Sequence, residues 1–99
     1  MSVLAKRLKE ARLRKGLSQE RLGVLAGIDE MSSSARMNQY ERGKHVPDWL
    51  TVERLAAVLE VPVAFFYATD ENEATLLVKF YGLSDDARQA ALKYIDGLS

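Results

Sequence analysis

The sequence predicts an all-α protein of five short helices followed by a helical pair. Three observations carry that prediction. Apolar residues recur every three or four positions along almost the whole chain, and no stretch alternates apolar and polar residues as a half-buried strand would. Serine, aspartate and glycine stand where such helices need to start and stop. Only Pro47 and Pro62 could break a helix.

The first helix, Val3–Lys15, has Leu4, Leu8 and Ala11 on one stripe, which leaves Lys6, Arg7, Lys9, Arg14 and Lys15 to the other positions. Gly16 ends it. Ser18 caps a second, short helix over 19–26, with Leu22 and Leu25 directed inward and Gly27 as its stop. The run Asp29-Glu30-Met31-Ser32-Ser33-Ser34 reads as a turn, and a third helix is expected from 33 or 34 to 42, closed by Gly43. Asp48 then caps a fourth, Trp49–Leu59, with Val52, Leu55, Ala56 and Leu59 as its buried stripe. Pro62 opens a fifth, Val63–Tyr67, whose Phe65 and Phe66 close the core. Two more helices are expected over 71–81 and 85–98, separated by Gly82. Ser84 caps the second, and Asp85 and Asp86 in its first turn complement the helix dipole.

Composition bounds the function. With 99 residues, 47% hydrophobic and 28% charged, the chain is an ordinary globular protein of one small domain plus an appendage. Its zero net charge hides an asymmetry: residues 1–67 hold 11 basic against 8 acidic side chains, and residues 68–99 hold 3 against 6. A basic working module, 1–67, followed by an acidic helical hairpin, 68–99, is the expected organisation. The longest apolar run, 61–68, is far short of the roughly 20 residues that span a bilayer. The N-terminus lacks the apolar core of a secretory signal, so a cytoplasmic protein is expected. Absence of cysteine excludes disulfides and thiolate catalysis, and a lone histidine, His45, completes no metal site. Neither a cofactor nor a metal is expected. No phosphate-binding loop, paired-carboxylate motif or nucleophile with a histidine partner suggests an enzyme.

Plotting the third helix at about 100° per residue puts Met37, Tyr40 and Glu41 on one side and Ala35 and Gln39 on the other, flanked by Arg36, Asn38 and Arg42. This outward face carries the chemistry of base readout. Gln or Asn bonds an adenine edge at two points, Arg does so for guanine, and Ala accepts a thymine methyl. Gln39 is the first candidate for a base contact, Arg36 and Asn38 follow, and Ala35 and Ser34 complete the set. The plain alternative is a solvated helix face.

The pieces Leu8-Lys9-Glu10-Ala11-Arg12, Gly16-Leu17-Ser18-Gln19-Glu20-Arg21-Leu22, Ala26-Gly27-Ile28, Tyr40-Glu41-Arg42-Gly43-Lys44, Pro47 and Leu55-Ala56-Ala57-Val58-Leu59-Glu60-Val61-Pro62 occur in that order. Together they resemble the Xre family of helix-turn-helix proteins, which includes Cro and the phage repressors. The resemblance stops near Tyr67. It implies a five-helix lambda-repressor-like fold, a double-stranded DNA partner, and a third helix laid in the major groove while the second crosses the backbone. It further implies an ion pair between Arg12 and Glu41, holding helix one to helix three. Phosphate contacts are expected from Ser18 and Gln19 at the start of helix two, aided by the helix dipole, and from Arg42 and Lys44 beyond helix three.

The chain departs from the family between Gly27 and Glu41, where it has about four extra residues, close to one helical turn of about 3.6. The serine run favours a lengthened turn over an earlier start of helix three. In the tail, Leu76, Leu77, Phe80, Leu92 and Ile95 are more apolar than a peripheral hairpin needs. They suggest a homodimer surface; packing back onto the fifth helix and docking of a regulatory protein are the alternatives. The expected function is that of a sequence-specific DNA-binding transcriptional repressor. An antitoxin-like autoregulator that binds a partner protein through its C-terminal helices is the second reading, and a protein-binding adaptor the third.

Overall fold

Side-chain caps start all six α-helices: α1 (Val3–Lys15), α2 (Gln19–Leu25), α3 (Glu30–Glu41), α4 (Trp49–Leu59), α5 (Glu71–Tyr81) and α6 (Asp85–Asp96). Ser2, Ser18, Asp29, Asp48, Asp70 and Ser84 each accept a hydrogen bond from an amide two or three residues on. Such a cap contributes about 1 kcal/mol. A 3-10 helix, Val63–Tyr67, joins α4 to α5. The structure, a computed structural model, describes residues 2–99, and no strand occurs among them. None of these helices is long and apolar enough to cross a membrane.

One core gathers Leu8 of α1, Leu22 of α2, Met37 of α3, Val52 and Leu55 of α4, and Phe65 and Phe66 of the 3-10 helix. The two phenylalanines meet edge to face, centroids 5.8 Å apart. Gly16 ends α1 in the left-handed conformation at φ 73°, its amide donating to the carbonyls of Arg12 and Leu13.

Helix α3 begins at Glu30, a turn earlier than the serine run suggests. The extra residues near its start are helix, not a longer loop. Asp29 caps it, accepting from the Met31 amide at 3.1 Å. Ser33 then falls on the buried face one turn before Met37, and its hydroxyl donates to the Glu20 carbonyl at 2.7 Å. A satisfied hydroxyl packed against α2 outweighs the modest helix propensity of serine. One added turn also preserves the inward phase of Met37, Tyr40 and Glu41.

Two further expectations fail. Leu25 is 45% exposed rather than inward. The inner face of this seven-residue helix is taken by Leu22 and Gly23, with Ala26 just beyond, and Leu25 lies at the margin beside Arg54, Ala57 and Val58. Arg7 is 1% exposed rather than solvated. It sits on the same stripe as Leu4, Leu8 and Ala11, and its Nε donates to the Ala68 carbonyl at 2.9 Å. Its Nη1 reaches Glu71 and Glu10, both at 3.2 Å, and the guanidinium lies 5.9 Å from the Phe65 ring centroid.

This buried arginine ties α5 to α1. Hydrogen bonds from Arg7 and then Lys6 hold the Glu71 carboxyl down to about 2. Ala74 is buried, and Leu77 and Val78 pack half-buried on the core. Helix α6 differs: it ends at Asp96, short of 98, and none of its residues is buried. The tail pair is open. Arg88, whose Nε and Nη2 donate to the Phe80 and Tyr81 carbonyls at 3.1 and 2.8 Å, holds the corner, but the two helices hardly touch along their lengths. The molecule is accordingly elongated, 50 × 26 × 23 Å.

Candidate nucleic-acid interface

The site is built on α3, and its orientation is set by what lies beneath it. Arg12 of α1 and Glu41 of α3 form a two-point ion pair: Nε donates to Oε2 at 2.6 Å and Nη2 to Oε1 at 3.0 Å. Their side chains are only 11% and 3% exposed. Arg12 Nη1 also donates to the Leu17 carbonyl at 2.9 Å, so the guanidinium fixes α1, the α1–α2 turn and the end of α3 at once.

Gln19, the first residue of α2, continues this network. Its Nε2 donates to Glu41 Oε1 at 3.1 Å and to Asn38 Oδ1 at 3.4 Å. That leaves the Asn38 side-chain NH2 as the group available outward. The Ser18 hydroxyl accepts from the Arg21 amide at 3.0 Å, which leaves its own proton free to donate.

Along α3, Ser33, Met37, Tyr40 and Glu41 are buried, whereas Ser34, Ala35, Arg36, Asn38 and Gln39 are exposed, as is Arg42 just beyond. Ala35 and Gln39 stand one turn apart, as do Ser34 and Asn38. Arg36 lies near enough to Asp48 to contribute, after the Thr51 bonds that dominate, to holding that carboxyl below its ordinary range. Gly43 takes φ 73°, and the Lys44 amide donates back to the Gln39 carbonyl at 2.9 Å. This turn keeps Arg42 and Lys44, both exposed, at the C-terminal end of the α3 row.

The residues named from the sequence for base contact thus share one solvent-facing surface. Lys9 was not among them, yet it lines a shallow groove between α1 and α3 with Leu13, Gln19, Asn38 and Arg42. Its position three residues before Arg12 on α1 is the signal that places it there. In the tail, Leu76, Leu92 and Ile95 are exposed, while Leu77 and Phe80 are half-buried.

Comparison with known proteins agrees with the fold. Residues 3–64 match the helix-turn-helix domain family. The crystal structure of transcriptional regulator BswR aligns over 98% of this chain and 94% of its own, with TM-score 0.88 and 44% sequence identity. No curated protein matches the chain.

Proposed function

The chain belongs to the helix-turn-helix domain family, and on that premise we propose that it is a sequence-specific DNA-binding transcriptional regulator of the Xre type, acting as a repressor. The observation that carries this reading is the exposed polar row of α3, fixed from below by the Arg12–Glu41 pair. Residues 1–67 form the DNA-binding unit. Gln39 reads an adenine edge through its amide, Arg36 and Asn38 read neighbouring bases, and Ala35 and Ser34 line the groove floor. Phosphates are held by the α2 start at Ser18 and Gln19, and by Arg42 and Lys44 beyond α3. Similarity to a protein described as a transcriptional regulator supports the regulatory role. The operator site is occupied, and transcription from it is blocked.

The tail, 68–99, serves as the dimerisation element, bringing two copies to paired half-sites. What supports this is the open α5–α6 pair, which leaves Leu76, Leu92 and Ile95 each about half exposed. The same exposure favours one second reading, an antitoxin-like autoregulator whose tail binds a different protein. Selection of duplexes from a random pool by the full chain tests the central reading. Enrichment of one palindromic sequence is expected; binding that stays indifferent to sequence at low salt overturns it.

A further inference from the structure

Met31 is the most exposed large apolar side chain among the described residues, at 94%. It stands in the first turn of α3, and nothing in the fold accounts for a bare thioether there. That turn is rigid. Asp29 caps it, Ser33 pins it to the Glu20 carbonyl, and Gly23 of α2 lets the two backbones close up. Met31 lies one turn before Ala35 and on the same side, so the exposed row runs Met31, Ala35, Asn38, Arg42 at spacings of a single helix face. Glu30 flanks this row, lining a depression with Ser18 and Arg21 rather than covering the methionine.

We propose that Met31 is a specificity-determining residue that packs on the C5-methyl of a thymine at the edge of each half-site, an inference that rests on the DNA-reading assignment of α3. A recognition helix offers its N-terminal residues to base edges. The only apolar feature of a base pair in the major groove is the thymine methyl. Met31 and Ala35 are about 6 Å apart along the helix, roughly two base-pair steps of 3.4 Å, so each meets a different base. The flexible thioether adapts to a methyl without demanding one bond direction, which suits a position at the outer end of the reading row.

The test uses the full chain and the sequence it enriches from a random pool. Each thymine of that site is replaced singly by uracil, which removes only the C5-methyl, and affinities are measured for the wild type, Met31→Ala and Met31→Leu. At one outer position, uracil is expected to weaken the wild type and Met31→Leu about fourfold, the value of one buried methyl, and to leave Met31→Ala unchanged. Equal thermal melting of the three proteins is expected, since the side chain touches nothing in the fold. A uracil profile that is the same for Met31→Ala and wild type, or a site with no such thymine, overturns the assignment of Met31 while leaving α3 as the reader. Failure of the wild type to enrich any sequence overturns the DNA-reading assignment itself and this one with it.

Discussion

A β-carbon on Gly23 would lie 1.9 Å from the Ser33 hydroxyl oxygen, so α2 and α3 touch where only a glycine fits. In an exposed helix, Gly→Ala gains about 1 kcal/mol of helix propensity. Here the sign reverses. Rotating the hydroxyl away would break its bond to the Glu20 carbonyl and still leave Ser33 Cβ at 3.1 Å and Met37 Cγ at 3.0 Å. Gly23→Ala is expected to lose about 1–3 kcal/mol net, as overpacked cores do. Denaturant midpoints check this, and Ser33→Ala added to Gly23→Ala should recover part of the loss. Additive losses in the double variant would show that the two sites are not in contact.

The Arg12–Glu41 pair is worth little as an attraction and much as a commitment. With both side chains almost wholly buried, removing one strands the other in a low-dielectric site. Glu41→Ala is expected to destabilise by about 3–5 kcal/mol. Replacing both, Arg12→Met with Glu41→Leu, should cost less than Glu41→Ala alone, because no charge is then left unpaired. Thermal melts of the three proteins decide; an unshifted Glu41→Ala would mean the pair is solvated in solution.

Acid should loosen the joint between α1 and the tail. Glu71 titrates near 2 when folded and at its ordinary 4.5 when unfolded. Its contribution is therefore complete above about pH 4.5 and disappears as pH falls towards 2, because the unfolded chain takes up the proton first. Arg7 stays charged throughout, its own pKa raised chiefly by the bond to Glu71. Glu71 is largely exposed, so the effect is modest and shrinks with salt. Denaturation midpoints of wild type and Glu71→Gln, compared from pH 7 to 2, should differ at neutrality and converge in acid. A gap that persists to pH 2 would assign the difference to packing instead.

How far such features were legible depends on whether a residue's local signal agreed with its tertiary one. Asp48 and Ser84 mark helix starts that the fold keeps, because a cap acts within three residues and needs no distant partner. Phe65 and Phe66 close the core as their hydrophobicity demands. Ser33 misleads, since its turn-forming character is overruled by Gly23 and the Glu20 carbonyl, which lie far off in sequence. Arg7 misleads differently: its place on the Leu4–Leu8 stripe implied burial, but a charge reads as solvated until Ala68 and Glu71 are brought to it. The outward face of α3 was readable from periodicity alone; the pinned first turn that carries Met31 was not.

Across the proposed DNA interface, base and phosphate contacts should separate by their response to sequence and salt. Gln39→Ala is expected to cost about 1–3 kcal/mol on the selected site and to relax preference at one base pair, with little effect on random DNA. Lys44→Ala should weaken both alike and flatten the salt slope by about one unit. Titrations at several salt concentrations on matched cognate and scrambled duplexes measure both. Equal losses on both duplexes for Gln39→Ala would remove it from the readers.

Helix α6 is amphipathic yet contributes nothing to the core of its own chain. Leu92 and Ile95 are exposed along it and Leu98 just past its end, and Leu76 and Tyr81 are exposed on α5. A helix with so little support within the chain is stabilised mainly by what it packs against. If that partner is a second copy, Leu92→Glu with Ile95→Glu in the full chain should convert a sedimenting dimer into a monomer. Because α6 scarcely touches the body, the melting of the 1–67 unit should not change. Binding to a duplex with a single half-site should likewise survive, whereas the gain from a second half-site should vanish, since that gain depends only on linkage. A wild type that sediments as a monomer at all concentrations, or a double variant that remains dimeric, would move the interface off the tail.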